Sequence, residues 1–146
     1  MSAMITEVRP GLFLANYSGA QQGPADAYVV NCTRDLPMIR PQGTRVAVDD
    51  NGTTGTMNSL AMAIPALVDE IHARLAAGTP VVVHCLAGQQ RSPTVVAAYL
   101  IRYAGLTAAE AIREVRARKR DALMVANYGP VLEWFESHER MGCTPV

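Results

Sequence analysis

The run PVVVH at residues 80–84 leads, through a short loop containing one glycine, into the apolar stretch TVVAAYLI at residues 94–101. Consecutive apolar positions in a strand mean burial on both faces, which is the condition of a central parallel strand. A helix that is apolar on most sides must likewise be covered by other elements. A strand and a helix of this kind, joined directly, confine the chain to a layered α/β architecture.

The rest of the chain supplies the layers. ITEV (residues 5–8) and LFLA (residues 12–15) read as two short strands joined by the turn Arg9-Pro10-Gly11. AYVVNC (residues 27–32) and RVAV (residues 45–48) are β-branched runs bounded by turn formers, and read as buried strands. Across residues 58–77, Leu60, Ile64, Leu67, Ile71 and Leu75 recur at helical spacing, and Gly78 supplies the stop. A helix is expected over residues 93–104, ending at Gly105. Thr107 and Glu110 form a capping box that opens the next one. A last amphipathic helix is expected over residues 127–139, with Val131, Leu132 and Phe135 turned inward. The last three helices should pack together on one face. The expected fold is therefore α/β, a central and mostly parallel sheet of about five strands flanked by helices, in one domain over residues 1–146.

Charge and cysteine content narrow the function. Formal net charge is zero, so no overall field favours nucleic acid or a membrane surface. The N-terminal stretch has no apolar core of the signal-peptide kind, and no apolar run is long enough to span a bilayer. Three cysteines, Cys32, Cys85 and Cys143, are an odd number at irregular spacing. That pattern argues for a reducing compartment, and a cytoplasmic location is expected. No His/Cys/Asp cluster has metal-ligand spacing, and neither a metal nor a cofactor is expected.

The loop between strand and helix, HCLAGQQRSP at residues 84–93, carries the chemistry. A strand ending at Cys85, a five-residue loop and a helix starting near Ser92-Pro93 make an anion site. The loop amides and the N-terminal N–H groups of the helix point into one concavity. Gly88 permits backbone angles closed to other residues, and Pro93 suits the first helical turn. Arg91 adds a planar fork able to hold two oxygens of a phosphate or carboxylate. A thiol at the floor of such a cradle sits in positive potential, which favours the thiolate as a nucleophile toward a phosphate ester.

HCLAGQQRS resembles the phosphate-binding loop of the cysteine-dependent protein phosphatases: His-Cys, five residues, Arg, then Ser or Thr. The resemblance is to the small dual-specificity group of the protein tyrosine phosphatase superfamily. It extends to VRPGLFLANYSGA, VVNCTRDLP and AAYLIRYAGLTAAEAIREVRARK, and so covers most of the chain, from about residue 5 to 139. It implies a protein tyrosine phosphatase-like fold and hydrolysis of phosphotyrosine, and of phosphoserine or phosphothreonine, in proteins through a phosphocysteine intermediate. Cys85 would be the nucleophile. Leu86, Ala87, Gly88, Gln89, Gln90 and Arg91 would bind the phosphoryl group, Arg91 also holding the transition-state charge. Ser92 would hydrogen-bond the sulfur and ease breakdown of the intermediate, and His84 would orient the loop. The general acid in such proteins follows a strand equivalent to RVAV, which points to Asp50, with Asp49 as the alternative.

Gln90 departs from the resemblance, since that position is usually small, and it stands beside a second long amide, Gln89. Neither is cationic, which favours a phosphoprotein substrate over RNA 5′-phosphates or phosphoinositides as the alternative. A catalytically weak phosphate-binding relative is a further alternative, although Cys85 and Arg91 are both present. The run RARKR (residues 116–120) is the one basic patch, and such a run is more often a solvated helix end than a partner site. Finally, AYVVNC ends at Cys32 and PVVVHC at Cys85. In the fold the resemblance implies, those strands are neighbours, so mild peroxide is expected to join Cys32 and Cys85 reversibly.

Overall fold

The computed structural model describes residues 2–49, 51–124 and 128–142. Five strands form one sheet: β1 (Ile5–Arg9), β2 (Leu12–Ala15), β3 (Tyr28–Asn31), β4 (Gly43–Arg45) and β5 (Val81–His84), in the order β1-β2-β5-β3-β4. Only the β1–β2 pair is antiparallel, because the turn at Pro10-Gly11 is too short for any other connection. The remaining neighbours are parallel. β5, the last strand in the chain, is the middle of the sheet, and all four of its residues are buried. The expected mostly parallel α/β fold is what the chain adopts.

Side-chain alternation divides the sheet into two faces. Leu12, Leu14, Val30, Val81 and Val83 look toward the helices α2 (Thr54–Ala76), α3 (Arg91–Tyr103), α4 (Ala108–Arg118) and α5 (Gly129–Gly142). Ala15, Val29 and Val82 look the other way, under α1 (Tyr17–Ala20) and the chain that follows it. α3 lies on β5 and β2 and is itself covered by α2, α4 and α5. That accounts for its apolar sequence, since each fully buried Val or Leu stabilises by about 1.5–3 kcal/mol. Val131, Leu132 and Phe135 of α5 are buried as expected, and the Thr107–Glu110 capping box closes in both directions at 2.9 and 3.1 Å. The last three helices do pack against one another. Among the described residues no helix is long and apolar enough to cross a membrane.

Three boundaries differ from the sequence reading, each for a physical reason. The strand expected over residues 45–48 is instead Gly43–Arg45. Val46 and Val48 are buried, and Val46 N–H still donates to Asn31 O at 2.8 Å, but the ladder ends there. Their alternation reports burial and not pairing. α2 begins at Thr54, earlier than residue 58, because Thr53 caps it by accepting from Thr56 N–H and the apolar period starts only later. α3 begins at Arg91, so Pro93 is its third residue, still within the turn whose N–H groups have no helical acceptor. α5 is described from Gly129, and residue 127, where it was expected to start, lies outside the described residues. The sequence reading had no α1: Asn16 caps this single turn by accepting from Gly19 N–H at 2.7 Å.

Candidate active site

The parallel register brings three residues to the same level at the carboxyl edge of the sheet. Ala15 pairs with His84 and His84 with Asn31, so Asn16, Cys85 and Cys32 come next, side by side. This edge is where open α/β sheets place ligands. From it the segment 85–90 curls over the start of α3. Gly88 has φ +72°, a conformation that strains any other residue, and a Cβ there would meet Met4 Cε at 2.8 Å and Ala15 O at 3.2 Å. The methionine end can swing aside, so the backbone angle is the constraint that favours glycine here. Tyr17 N–H donates to Leu86 O at 3.0 Å, which ties the near end of the loop to α1.

Cys85 lies at the floor of this loop, 2% exposed. Its Sγ is 3.1 Å from Ser92 Oγ and accepts from Gly88 N–H at 3.3 Å. The N–H groups of Leu86, Ala87, Gln89, Gln90 and Arg91 have no hydrogen-bond partner among the described residues. With the N-terminus of α3 they form a donor-lined concavity that favours negative charge. Arg91, 9% exposed, donates from Nη1 to Val48 O at 3.0 Å, while its buried Nε has no partner among the described residues. Among the described residues no carboxylate pairs with it. A desolvated guanidinium in this state is an electrostatic demand for an anion.

His84 is fully buried. Burial pushes its ring below the usual histidine range, the bond from Nδ1 to Cys85 O works the other way, and Arg45 and Arg91 push it further down. A neutral imidazole can donate from Nδ1 to the carbonyl of Cys85, 3.1 Å away, at the start of the loop. Gln90 is 7% exposed with its Oε1 unpartnered among the described residues, so it packs inward and does not narrow the mouth. Gln89 is exposed and turns to α4's far end, its Nε2 donating to Asp121 at 2.8 Å.

A cleft of about 240 Å³ opens beside the loop, lined by Thr33, Arg34, Asp35, Leu36, Asp49, Leu86 and Arg91. Its far wall, residues 33–36, is held by two groups that sequence reasoning missed. The buried Asn31 side chain donates to Leu36 O and accepts from Thr33, and the Arg45 guanidinium caps the carbonyls of Thr33, Arg34 and Leu36. Asp49 lines this cleft but is held by the Arg34 fork at 3.1 and 3.4 Å. Asp50 lies outside the described residues. The Arg91–Val48 bond nonetheless ties Arg91 to the residue just before this acidic pair. A larger cleft of about 530 Å³ between α2 and α5, flanked by Met62 and Trp134, has no ionisable side chain in its lining and lacks the means for this chemistry.

Within the basic run, Lys119 pairs with Asp121, and Arg116 donates to Ala122 O at 3.1 Å. Two of its four cations are therefore spent within the α4–α5 turn. Cys32 is fully buried beside Cys85, its N–H donating to His84 O at 2.8 Å.

The family model for the catalytic domain of dual specificity phosphatases matches residues 12–137 of the chain. Dual specificity protein phosphatase Mpk3 of Drosophila melanogaster is 34% identical over 142 residues, 92% of this chain and 34% of that protein. The chain thus spans about a third of that relative's length. Dual specificity phosphatase 28 of Homo sapiens is 33% identical over 123 residues, 79% of this chain and 68% of that protein. The crystal structure of human DUSP28 superposes with a TM-score of 0.84 at 26% identity, covering 96% of this chain and 97% of that one.

Proposed function

The chain belongs to the dual specificity phosphatase family, and from that premise we propose that it hydrolyses phosphotyrosine, and phosphoserine or phosphothreonine, in proteins through a phosphocysteine intermediate. The observation that carries this reading is the buried sulfur of Cys85, held under a ring of amides beside a buried Arg91 whose Nε has no partner among the described residues.

In the proposed mechanism the amides of residues 86–91 and the Arg91 guanidinium bind the three non-bridging phosphoryl oxygens. Cys85 Sγ attacks phosphorus in line. The S–P bond forms, the ester P–O bond breaks, and Asp50 gives its proton to the departing oxygen. Water then attacks the phosphocysteine, giving its proton back to that carboxylate. The sulfur leaves as a thiolate, which the Ser92 hydroxyl at 3.1 Å can stabilise by donating to it. The engagement of Asp49 by Arg34 supports Asp50 as the acid.

A protein substrate is favoured over polyanionic lipids or RNA ends by the wall of the cleft. Its side chains include Asp35 and Asp49, and apart from Arg91 its one cation, Arg34, is already paired. Two free thiols, Cys32 and Cys85, suit a reducing compartment such as the cytoplasm. The test is a side-by-side assay of para-nitrophenyl phosphate, phosphopeptides, a phosphoinositide and 5′-triphosphorylated RNA, with and without EDTA and orthovanadate. Hydrolysis of the aryl phosphate and the peptides, insensitive to EDTA and inhibited by vanadate, is expected. Turnover confined to the lipid or the RNA would transfer the chemistry to that substrate, and no turnover of any would sink the reading.

A further inference from the structure

The phosphate loop is held at two ends by different elements. Its near end rests on α1 and β2. Its far end, Gln89, is gripped by the turn between α4 and α5. Leu123 N–H donates to Gln89 O at 2.7 Å, and Gln89 Nε2 donates to Asp121 Oδ2 at 2.8 Å. The other carboxylate oxygen of Asp121 takes the Lys119 ammonium, and Ala122 N–H closes the turn on Lys119 O at 3.1 Å. Leu123 has φ +57°, the one positive φ at a non-glycine residue among the described residues. A leucine in that region is strained, and strain of this kind persists where the surroundings over-determine it. Ala122 and Leu123 are both buried in the main core, which anchors the turn.

In a trans peptide the carbonyl of one residue and the N–H of the next point in opposite directions. With Gln89 O turned out to Leu123, the N–H of Gln90 turns away from the α4–α5 turn and toward the concavity. We propose that residues 119–123 are a buttress that aims the Gln90 amide at the phosphoryl oxygens, with Asp121 as a positioning residue for phosphate binding through Gln89. The proposal rests on the phosphate-binding reading of the loop and assigns its far end a support outside the signature itself. It also gives the long amide at position 89 a role directed at the scaffold and not at substrate.

The experiment compares wild type with Asp121→Ala, Asp121→Asn, Gln89→Ala and the Asp121→Ala/Gln89→Ala double variant. Inorganic phosphate is titrated in each, read by the backbone amide resonance of Gln90 and by competitive inhibition of para-nitrophenyl phosphate hydrolysis. Each alanine variant should bind phosphate about 2–10-fold more weakly, the scale of one lost hydrogen bond, and the double variant no more weakly than either. Asp121→Asn keeps an acceptor for Gln89 and should stay nearer wild type. Melting temperatures, read alongside, separate this from a stability effect. Unchanged phosphate affinity in both alanine variants, losses that add in the double, or lowered melting without weakened phosphate binding would each overturn the proposal. A wild-type protein that neither binds phosphate nor turns over substrate would instead break the phosphatase reading.

Discussion

Cys32 and Cys85 follow neighbouring parallel strands and belong to the same buried cluster, and Cys32 N–H donates to the carbonyl of His84, the residue just before Cys85. Their surroundings have little else in common. After Cys85 the chain turns through a glycine loop into a helix N-terminus, so its sulfur meets Gly88 N–H, Ser92 Oγ and the field of Arg91. After Cys32 the chain enters the wall turn held by Asn31 and Arg45, whose polar groups satisfy one another. Burial pushes the Cys32 thiol well above the usual cysteine range, the nearby Cys85 adds to this, and Arg91 only partly offsets it. Two cysteines at equal depth on one sheet edge thus differ because of the loops that follow them. The strand positions a sulfur; the loop decides whether it can react.

The sharpest way to break this contrast is to make the same substitution at both places. Cys85→Ser should lower turnover by roughly 10⁴-fold or more, the scale on which loss of a covalent nucleophile is felt, with little change in melting temperature. Cys32→Ser should do the reverse. Turnover stays near wild type, while an added buried hydroxyl costs about 1–3 kcal/mol of folding stability, read by denaturant unfolding. Parallel loss of activity in both would mean that the two sites are not distinct.

Next in size is the acid, which serves the Cys85 side alone. Asp50→Asn should slow turnover of an alkyl phosphate by roughly 10²–10⁴-fold, the usual worth of a general acid. With para-nitrophenyl phosphate, whose leaving group needs little protonation, the loss should be smaller. Asp49→Asn, which releases Arg34, should show neither effect. If the two variants exchange behaviour, the acid is Asp49.

The smallest expected effect joins the two cysteines. Hydrogen peroxide should oxidise the Cys85 sulfur to a sulfenic acid, the peroxide O–O bond breaking with release of water. The Cys32 thiol then attacks that sulfur, forming S–S and expelling water, and added thiol reverses the bond. Adjacent strands lie about 4.8 Å apart, within the roughly 4.4–6.8 Å Cα spacing of disulfides. Non-reducing peptide mapping should find the Cys32–Cys85 link. Wild type should recover a few-fold more activity under thiol than Cys32→Ser, because the link shields Cys85 from over-oxidation. Equal recovery and no link would leave Cys32 a packing residue.

The chain by itself determined whatever depends on neighbours in sequence. Cys85, Gly88, Arg91 and Ser92 lie within one strand–loop–helix unit, where local backbone geometry brings them together, so their spacing was enough to expect them side by side. Buried β5 and α3, and the Thr107–Glu110 cap, were legible for the same reason, since periodicity and capping are local. Tertiary structure alone decided the partners that are distant in sequence. It set Asn16 to accept from Met4 N–H, and it turned Arg45 back over residues 33–36. It also shortened β4, brought Arg91 to Val48 and Gln89 to Asp121, and laid Cys32 beside Cys85. Sequence patterns report which side chains are buried and how the backbone turns within a few residues. A hydrogen bond between residues 32 or 43 positions apart exists only once the sheet order has brought their elements together, and no local pattern encodes that order.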